Sequence, residues 1–169
     1  VNKQGKRFCN EAASYNTMFK RLWDFNENTT EFPNLPAWLI FDQHYKDSYA
    51  MLTAMPGEDA PDWIEQANTL EELAKKLGID PDGLAKHVKR FNEVAEKGQD
   101  PNFQRGESVY DPLWGDWGHK PSTCLGTVEK PPFYAIPVYC GSLGTKGGPK
   151  TNSNGQVMDI FNNVIEGLY

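Results

Sequence analysis

A glycine-rich turn after an aromatic segment constrains this chain more than any other stretch. Residues 134–140 read Tyr-Ala-Ile-Pro-Val-Tyr-Cys, which is typical of a strand, and Gly141, Gly144, Gly147 and Gly148 follow within eight residues. Because glycine has no Cβ, the backbone there can approach something flat or bulky, so the pattern indicates either a site or a tight corner. The GxxxxGK[ST] spacing of a phosphate-binding loop cannot be placed on this turn.

Length, charge and cysteine content limit the class of protein. The 169 residues suffice for one domain with a core, and no apolar run approaches the ~20 residues of a membrane span. A net charge of -6 disfavours nucleic acid as a partner, because binding it depends on Lys and Arg. Three cysteines without a CxxC motif or a histidine at ligand spacing predict reduced thiols, a cytoplasmic protein and no metal site.

An αα-hairpin is the clearest secondary structure that the sequence predicts. Thr69 can cap a first helix, with Glu72 completing a capping box, and Gly78 ends it. Asp80, followed by proline, starts a second helix that runs to Gly98 with apolar residues at three- and four-residue steps.

The remaining segments predict short strands, one helix and long loops. We expect two short strands around a turn at residues 4–5, a helix within 11–25 whose apolar side is buried, and a buried strand over 38–41. A long loop over 100–130 is expected to be held by Trp114 and Trp117, and two meander strands are expected over 155–169. The fold class is therefore predicted as α+β, a small mixed or antiparallel sheet with an αα-hairpin and long aromatic loops. Both ends look like cuts through a longer protein.

Nine short motifs follow one another along the chain. They are Gly5-Lys-Arg-Phe-Cys-Asn-Glu11, Trp38-Leu-Ile-Phe-Asp42, Thr69-Leu-Glu-Glu-Leu-Ala74, Leu77-Gly-Ile-Asp80, Arg90-Phe-Asn92, Phe103-Gln-Arg-Gly106, Pro132-Phe-Tyr-Ala135, Gly144-Thr-Lys-Gly-Gly148 and Ile165-Glu-Gly-Leu-Tyr169. In this order and approximate spacing they resemble the flavoprotein family that includes fumarate reductases and 3-ketosteroid dehydrogenases. The resemblance spans essentially the whole chain.

The resemblance implies how the chain is organised and which cofactor the parent protein uses. Residues 1–137 would form a substrate-binding cap domain, and residues 138–169 the glycine-rich turn and the strands that return to the FAD domain of the same parent chain. The GxGxxG fingerprint of that domain is absent here. We therefore expect FAD in the full-length protein and none in this segment alone.

Two positions distinguish the branches of this family. Fumarate reductases carry a proton-donating arginine where this chain has Tyr15, and a histidine just before the Thr-x-Gly-Gly turn, where this chain has Leu143 and Gly144. The 3-ketosteroid dehydrogenases resemble it better, because they carry a tyrosine at the first position and Leu-Gly-Thr-Lys-Gly-Gly at the second. This resemblance implies that Tyr15 is the base that removes a proton beside the ketone of a hydrophobic cyclic substrate. A phenol titrates near ~10 in water, so this role needs a neighbour that favours the phenolate.

The other candidate site residues follow from the same resemblance. Thr145 and the glycines at 144, 147 and 148 would face the flavin or the substrate, and Glu11 would orient the loop by hydrogen bonds. A possible apolar pocket would involve Trp38, Phe133 and Tyr134, although an aromatic core is the alternative. Two other functions remain open: a fumarate reductase-like or succinate dehydrogenase-like flavoprotein acting on another unsaturated acid or ketone, and a non-catalytic binding module.

Overall fold

A three-stranded antiparallel sheet forms the centre of the fold. The computed structural model describes residues 1–142, 144 and 147–169. Strand β1 is Ala37–Asp42, β2 is Glu65–Ala67 and β3 is Phe133–Val138, and β3 lies between the other two. Ala37 pairs with Val138 and Glu65 with Ala135. The strands predicted over 38–41 and at the aromatic segment before the glycines are thus confirmed.

The αα-hairpin has the boundaries that its capping residues predict. Helix α3 is Leu70–Leu77 and α4 is Pro81–Lys97. The hydroxyl of Thr69 accepts a hydrogen bond from the backbone N–H of Glu72 at 3.1 Å. Gly78 and Gly98 end the helices in the left-handed conformation that glycine adopts without a Cβ penalty. The hairpin contributes Leu73, Ala74, Leu84 and Val88 to the core.

Helix α1, Tyr15–Leu22, lies within the predicted range but does not bury its whole apolar side. Only Leu22 of this helix is buried, whereas Tyr15, Phe19 and the following Trp23 are exposed. The prediction of a buried apolar side was wrong, because packing engages only one edge of a wide apolar face. Helix α2, Gln43–Ser48, was not predicted; the carboxylate of Asp42 caps it by accepting from the N–H of Tyr45 at 3.0 Å.

The first residues form a turn rather than two strands. The side-chain oxygen of Asn2 accepts from the backbone N–H groups of Gln4 and Lys6, both at 3.1 Å, so a local side chain satisfies donors that a strand would have paired. This turn packs against the start of α4, where Gly5 and Gly83 allow the two backbones to meet closely.

The last residues pair through isolated bridges rather than through two strands. Thr151 pairs with Val157 and Met158 with Val164, while tight turns interrupt the segment. The prediction of two meander strands was therefore wrong, because the segment forms isolated bridges and not continuous strands.

The 100–130 segment is a long loop with one turn of 3-10 helix, Asp111–Trp114. The expectation that its tryptophans anchor it was wrong, since Trp114 is 80% exposed and Trp117 is 69% exposed. Polar bonds hold the loop instead: Asn92 exchanges two hydrogen bonds with the backbone of Val128, at 3.0 and 2.9 Å. The carboxylate of Asp42 accepts from the N–H groups of Glu129 and Lys130, both at 2.9 Å.

The core consists of three groups of buried apolar side chains. Two of them lie where the hairpin meets the sheet, and the third packs Phe41 and Tyr134 of the sheet against Ala54 and Ile64. The predicted α+β class is confirmed. None of the helices in the described part of the chain has the length and apolar character needed to cross a bilayer.

Candidate active site

Tyr15, the predicted base, is the first residue of α1 and is 61% exposed. Ser14 precedes it as the N-cap residue. Peptide dipoles at this end of a helix favour nearby negative charge. Because Tyr15 directly follows residues 7–14, the loop that these residues form sets where the helix begins and where Tyr15 lies.

A buried ionic network fixes the start of this loop. The guanidinium of Arg7 donates two hydrogen bonds to the carboxylate of Glu11, both at 2.7 Å, and a third to Asp100 at 2.9 Å. Its side chain is 7% exposed and that of Asp100 is 0% exposed. From the other side, Arg105 donates to Glu11 at 3.2 Å. Such bidentate pairs give geometric specificity as well as energy.

These contacts keep both carboxylates charged. Burial alone would raise the pKa of Glu11, but the hydrogen bonds and charge of Arg7, with Arg105, outweigh it and hold this pKa below its usual range. For Asp100 burial is likewise outweighed by Arg7 and by backbone N–H donors, so its pKa is also lowered. Because its pKa is lowered, Glu11 is a weak proton acceptor near neutral pH, which suits the orienting role that we predicted for it.

A second polar connection runs from the same loop to the 100–111 segment. The side-chain amide of Asn10 donates to Asp111 at 2.8 Å, and its carbonyl oxygen accepts from the N–H of Ala12 at 2.9 Å. Asp111 is 3% exposed and also accepts from the N–H of Gly106 at 2.8 Å. The sequence did not point to Arg7, Asp100 or Asp111 as site residues. The motifs containing Asn10, Glu11 and Arg105 were visible, but their mutual contacts were not.

The glycine-rich turn leaves backbone open to its surroundings. Gly144, Gly147 and Gly148 are exposed, and a Cβ built on any of them would meet no atom of the described residues within 4 Å. Gly147 and Gly148 have φ values of +125° and +148°, which L side chains rarely adopt. A flat group such as an isoalloxazine ring could approach this backbone, so the residues fit FAD. Thr145 lies outside the described residues.

The three residues predicted for a pocket belong to different parts of the core. Trp38 packs with α3 and α4, Phe133 with Leu73, and Tyr134 stacks on Phe41 at 5.4 Å between ring centroids. All three are at most 8% exposed. Their place in a pocket of the complete protein stays a prediction.

Exposed aromatic side chains lie instead along α1. Tyr15, Phe19 and Trp23 recur at four-residue steps, which places them along one side of the helix. Trp23 contacts Phe32 edge to face at 4.9 Å, and Phe32 contacts Phe25 at 5.1 Å. Tyr15 thus belongs to an exposed aromatic surface, which the sequence analysis did not single out as a site.

Known proteins resemble this chain over its whole length. The 4-oxocyclohexanecarboxylate 2-dehydrogenase of Sinomonas cyclohexanicum is 42% identical over 172 residues, covering 100% of this chain and 30% of that protein. The solved 3-ketosteroid delta1-dehydrogenase of Sterolibacterium denitrificans, in complex with 1,4-androstadiene-3,17-dione, is 40% identical with a TM-score of 0.85, covering 100% of this chain and 31% of that one. A flavocytochrome c3 fumarate reductase, solved in an open conformation, is 26% identical with a TM-score of 0.70, covering 100% of this chain and 25% of that one.

These matches confirm the resemblance to fumarate reductases and 3-ketosteroid dehydrogenases. The chain spans about a third or less of the length of each protein that it matches. The family described as "FAD binding domain" matches residues 1–169, which supports FAD as the cofactor of the full-length protein. The chain belongs to the FAD binding domain family.

Proposed function

We propose that this chain is the substrate-facing part of an FAD-dependent dehydrogenase of a hydrophobic cyclic ketone, with Tyr15 as the catalytic base. The observation that carries the proposal is the placement of Tyr15. It is exposed at the first position of α1, at the end of a loop held by the buried pairs of Arg7, Glu11 and Asp100. An exposed side chain on a rigidly supported backbone suits a general base.

The reaction removes two hydrogens from adjacent carbons. The phenolate oxygen of Tyr15 takes the proton from the carbon beside the ketone, and the hydrogen on the next carbon leaves with its electron pair as a hydride. When bound, FAD supplies the acceptor for that hydride. The product is the ketone with a new carbon–carbon double bond, and the proton stays on the hydroxyl of Tyr15 until it passes to solvent.

The substrate class rests on the apolar surroundings of Tyr15 and on the named activities of the relatives. Phe19 and Trp23, which follow Tyr15 at four-residue steps, are also exposed. Similar proteins are named for the dehydrogenation of an oxocyclohexane and of 3-oxosteroids. A ring that bears a ketone is common to both names, and the aromatic side chains on α1 could contact the apolar part of such a ring.

We also propose the domain arrangement expected from the sequence, in which residues 1–137 form the cap domain and residues 138–169 return to the FAD domain. Residues 159–169 are all exposed or half-buried and include Phe161, Leu168 and Tyr169, so their apolar side chains are available to pack on the FAD domain of the same parent chain.

The three cysteines are free thiols, which supports a reducing, cytoplasmic setting.

The test uses the full-length parent protein with its FAD bound. Under anaerobic conditions, loss of the oxidised-flavin absorbance is followed after adding a 3-ketosteroid or 4-oxocyclohexanecarboxylate. We expect rapid bleaching by at least one of these ketones. Oxidation of a reduced dye by fumarate, with no bleaching by either ketone, would contradict the proposal and favour the reductase branch of the family.

A further inference from the structure

The motif Phe103-Gln-Arg-Gly106 has no role in the reaction described above, yet its residues converge on the loop that carries Tyr15. We propose that Arg105 is a positioning residue that, acting through Glu11, fixes the 7–14 loop and thereby sets where the Tyr15 hydroxyl meets the substrate. This inference rests on the proposed function for its catalytic consequence. Its structural part, a connection between the motif and the loop, stands by itself.

Arg105 makes the contact that closes the ionic network around Glu11. Its Nη1 donates to the same carboxylate oxygen, Oε2, that accepts from Nη2 of Arg7. Glu11 therefore lies between two guanidinium groups from segments 98 residues apart in sequence. Since the chain continues from Glu11 through three residues to Tyr15, a displacement of Glu11 passes directly to the start of α1.

The neighbouring residues of the motif are connected to the same loop independently of Arg105. The ring of Phe103 lies under the guanidinium of Arg7, 5.1 Å from the ring centroid to Cζ, within the range of a cation–π contact. The N–H of Gly106 and the side chain of Asn10 donate to the same oxygen of Asp111, both at 2.8 Å. Phe103 and Arg105 thus contact Arg7 and Glu11 of the loop directly, whereas Gly106 is connected to Asn10 through Asp111.

The backbone of the motif is shaped for these contacts. Gly106 has φ +96°, and a Cβ there would lie 3.3 Å from the Cβ of Cys124. Gln104 also has positive φ, at 56°. Positive φ at Gln104 and at Gly106, on either side of Arg105, turns the chain sharply, and the Phe103 ring and the Arg105 side chain both contact the loop. This accounts for the glycine after Arg105.

Arg105 is the member of the network that can be changed without removing its buried centre. Its side chain is 27% exposed, whereas that of Arg7 is 7% exposed and also pairs with the fully buried Asp100. The Nε of Arg105 is buried and has no hydrogen-bond partner in the described part of the chain. Lysine at this position keeps the charge and lacks that unpaired group.

The experiment compares Arg105→Gln and Arg105→Lys in the full-length holoenzyme, with rates divided by bound flavin. We expect Arg105→Gln to lower kcat by about 10- to 100-fold with KM within about threefold, because a small misplacement of a catalytic group has effects of this size. Arg105→Lys should recover most of the rate. With a ketone deuterated at the carbon beside the carbonyl, the isotope effect on flavin reduction should rise in Arg105→Gln, since proton removal becomes slower.

Hydrogen–deuterium exchange of the peptide covering residues 8–16 provides a readout that does not depend on turnover. We expect faster exchange there in Arg105→Gln and wild-type exchange in Arg90→Gln, a matched control that removes an exposed arginine bonded to Asn102 at 3.2 Å. Unchanged exchange in this peptide, or equal losses for the Gln and Lys variants, would overturn the positioning role. If the wild-type enzyme oxidised no ketone, the proposed function would fail while the exchange result still decided the connection.

Discussion

The close approach of Gly83 to the N-terminal turn predicts that Gly83→Ala destabilises the protein, although Gly83 lies in a helix. In an open helix this change stabilises by about 1 kcal/mol, because alanine is the better helix former. Here a Cβ would lie 2.2 Å from the carbonyl oxygen of Gln4, a backbone atom. The turn and the helix would have to separate by roughly 1 Å to restore ordinary contact.

Overpacking of this kind costs about 1–3 kcal/mol, and the contact with backbone favours the upper part of that range. After subtraction of the helix-propensity gain we expect a net loss of about 1–2 kcal/mol. For a domain of about this size, each kcal/mol lost lowers Tm by about 2–4 °C. The assay is the urea midpoint of the full-length protein with flavin bound, measured by far-UV circular dichroism.

The matched control is Gly126→Ala. Among the described residues its Cβ would meet only the ring of His119, at 3.8 Å, an ordinary contact, so this variant should remain within about 0.5 kcal/mol of wild type. A Gly83→Ala protein as stable as wild type, or more stable, would refute the reasoning. It would mean that the turn of residues 2–6 does not pack on the start of α4.

Three further predictions concern the polar contacts. Arg7→Met leaves Asp100 buried without its cation and should cost about 3–5 kcal/mol in unfolding free energy, part of which Asp100→Asn should restore in the double variant. At Glu11 and Asp100 the effect of the neighbouring cations outweighs that of burial, so the pKa of each carboxyl is lowered in the folded protein. The stability that the two carboxylates contribute is present above their ordinary pKa values of 4.5 and 3.8, and it is lost as the pH falls through their pKa values in the folded protein. Asp100→Asn should therefore flatten the acid limb of a stability–pH curve. The hydrogen bond that Tyr49 donates to Asp116 raises the pKa of Tyr49 to about 12, so its stabilisation is present below pH 10.0 and is lost as the pH rises through about 12; Tyr49→Phe should flatten that alkaline limb.

The parts of the fold that local chemistry determines could be predicted from the sequence. Each helix of the hairpin has a hydroxyl or carboxylate side chain just before its first residue and a glycine just after its last residue, and these signals act within four residues. The apolar run of β1 is equally local. Helix α2 escaped prediction because it is six residues long and its cap, Asp42, also ends a strand.

The site was predictable only in part, because its organisation is nonlocal. Tyr15 and Glu11 were identified through a motif, and the motif containing Arg105 was visible. The pairing of Arg7 with Asp100 joins residues 93 apart, and 17 basic and 23 acidic side chains allow many other pairings. Aromatic residues were equally ambiguous: hydrophobicity alone predicts burial for Trp38 and Trp114 alike, whereas one lies in the core and the other is 80% exposed.

The rate of flavin reduction in Tyr15→Phe full-length enzyme tests the central claim most directly. Tyr110→Phe, which removes a hydroxyl from another exposed tyrosine, is the matched control. With a ketone that bleaches the wild-type flavin, we predict a loss of roughly a hundredfold or more for Tyr15→Phe and a near wild-type rate for the control, because a general base contributes at least this much. A Tyr15→Phe rate within about threefold of wild type would contradict the assignment of Tyr15 as the base.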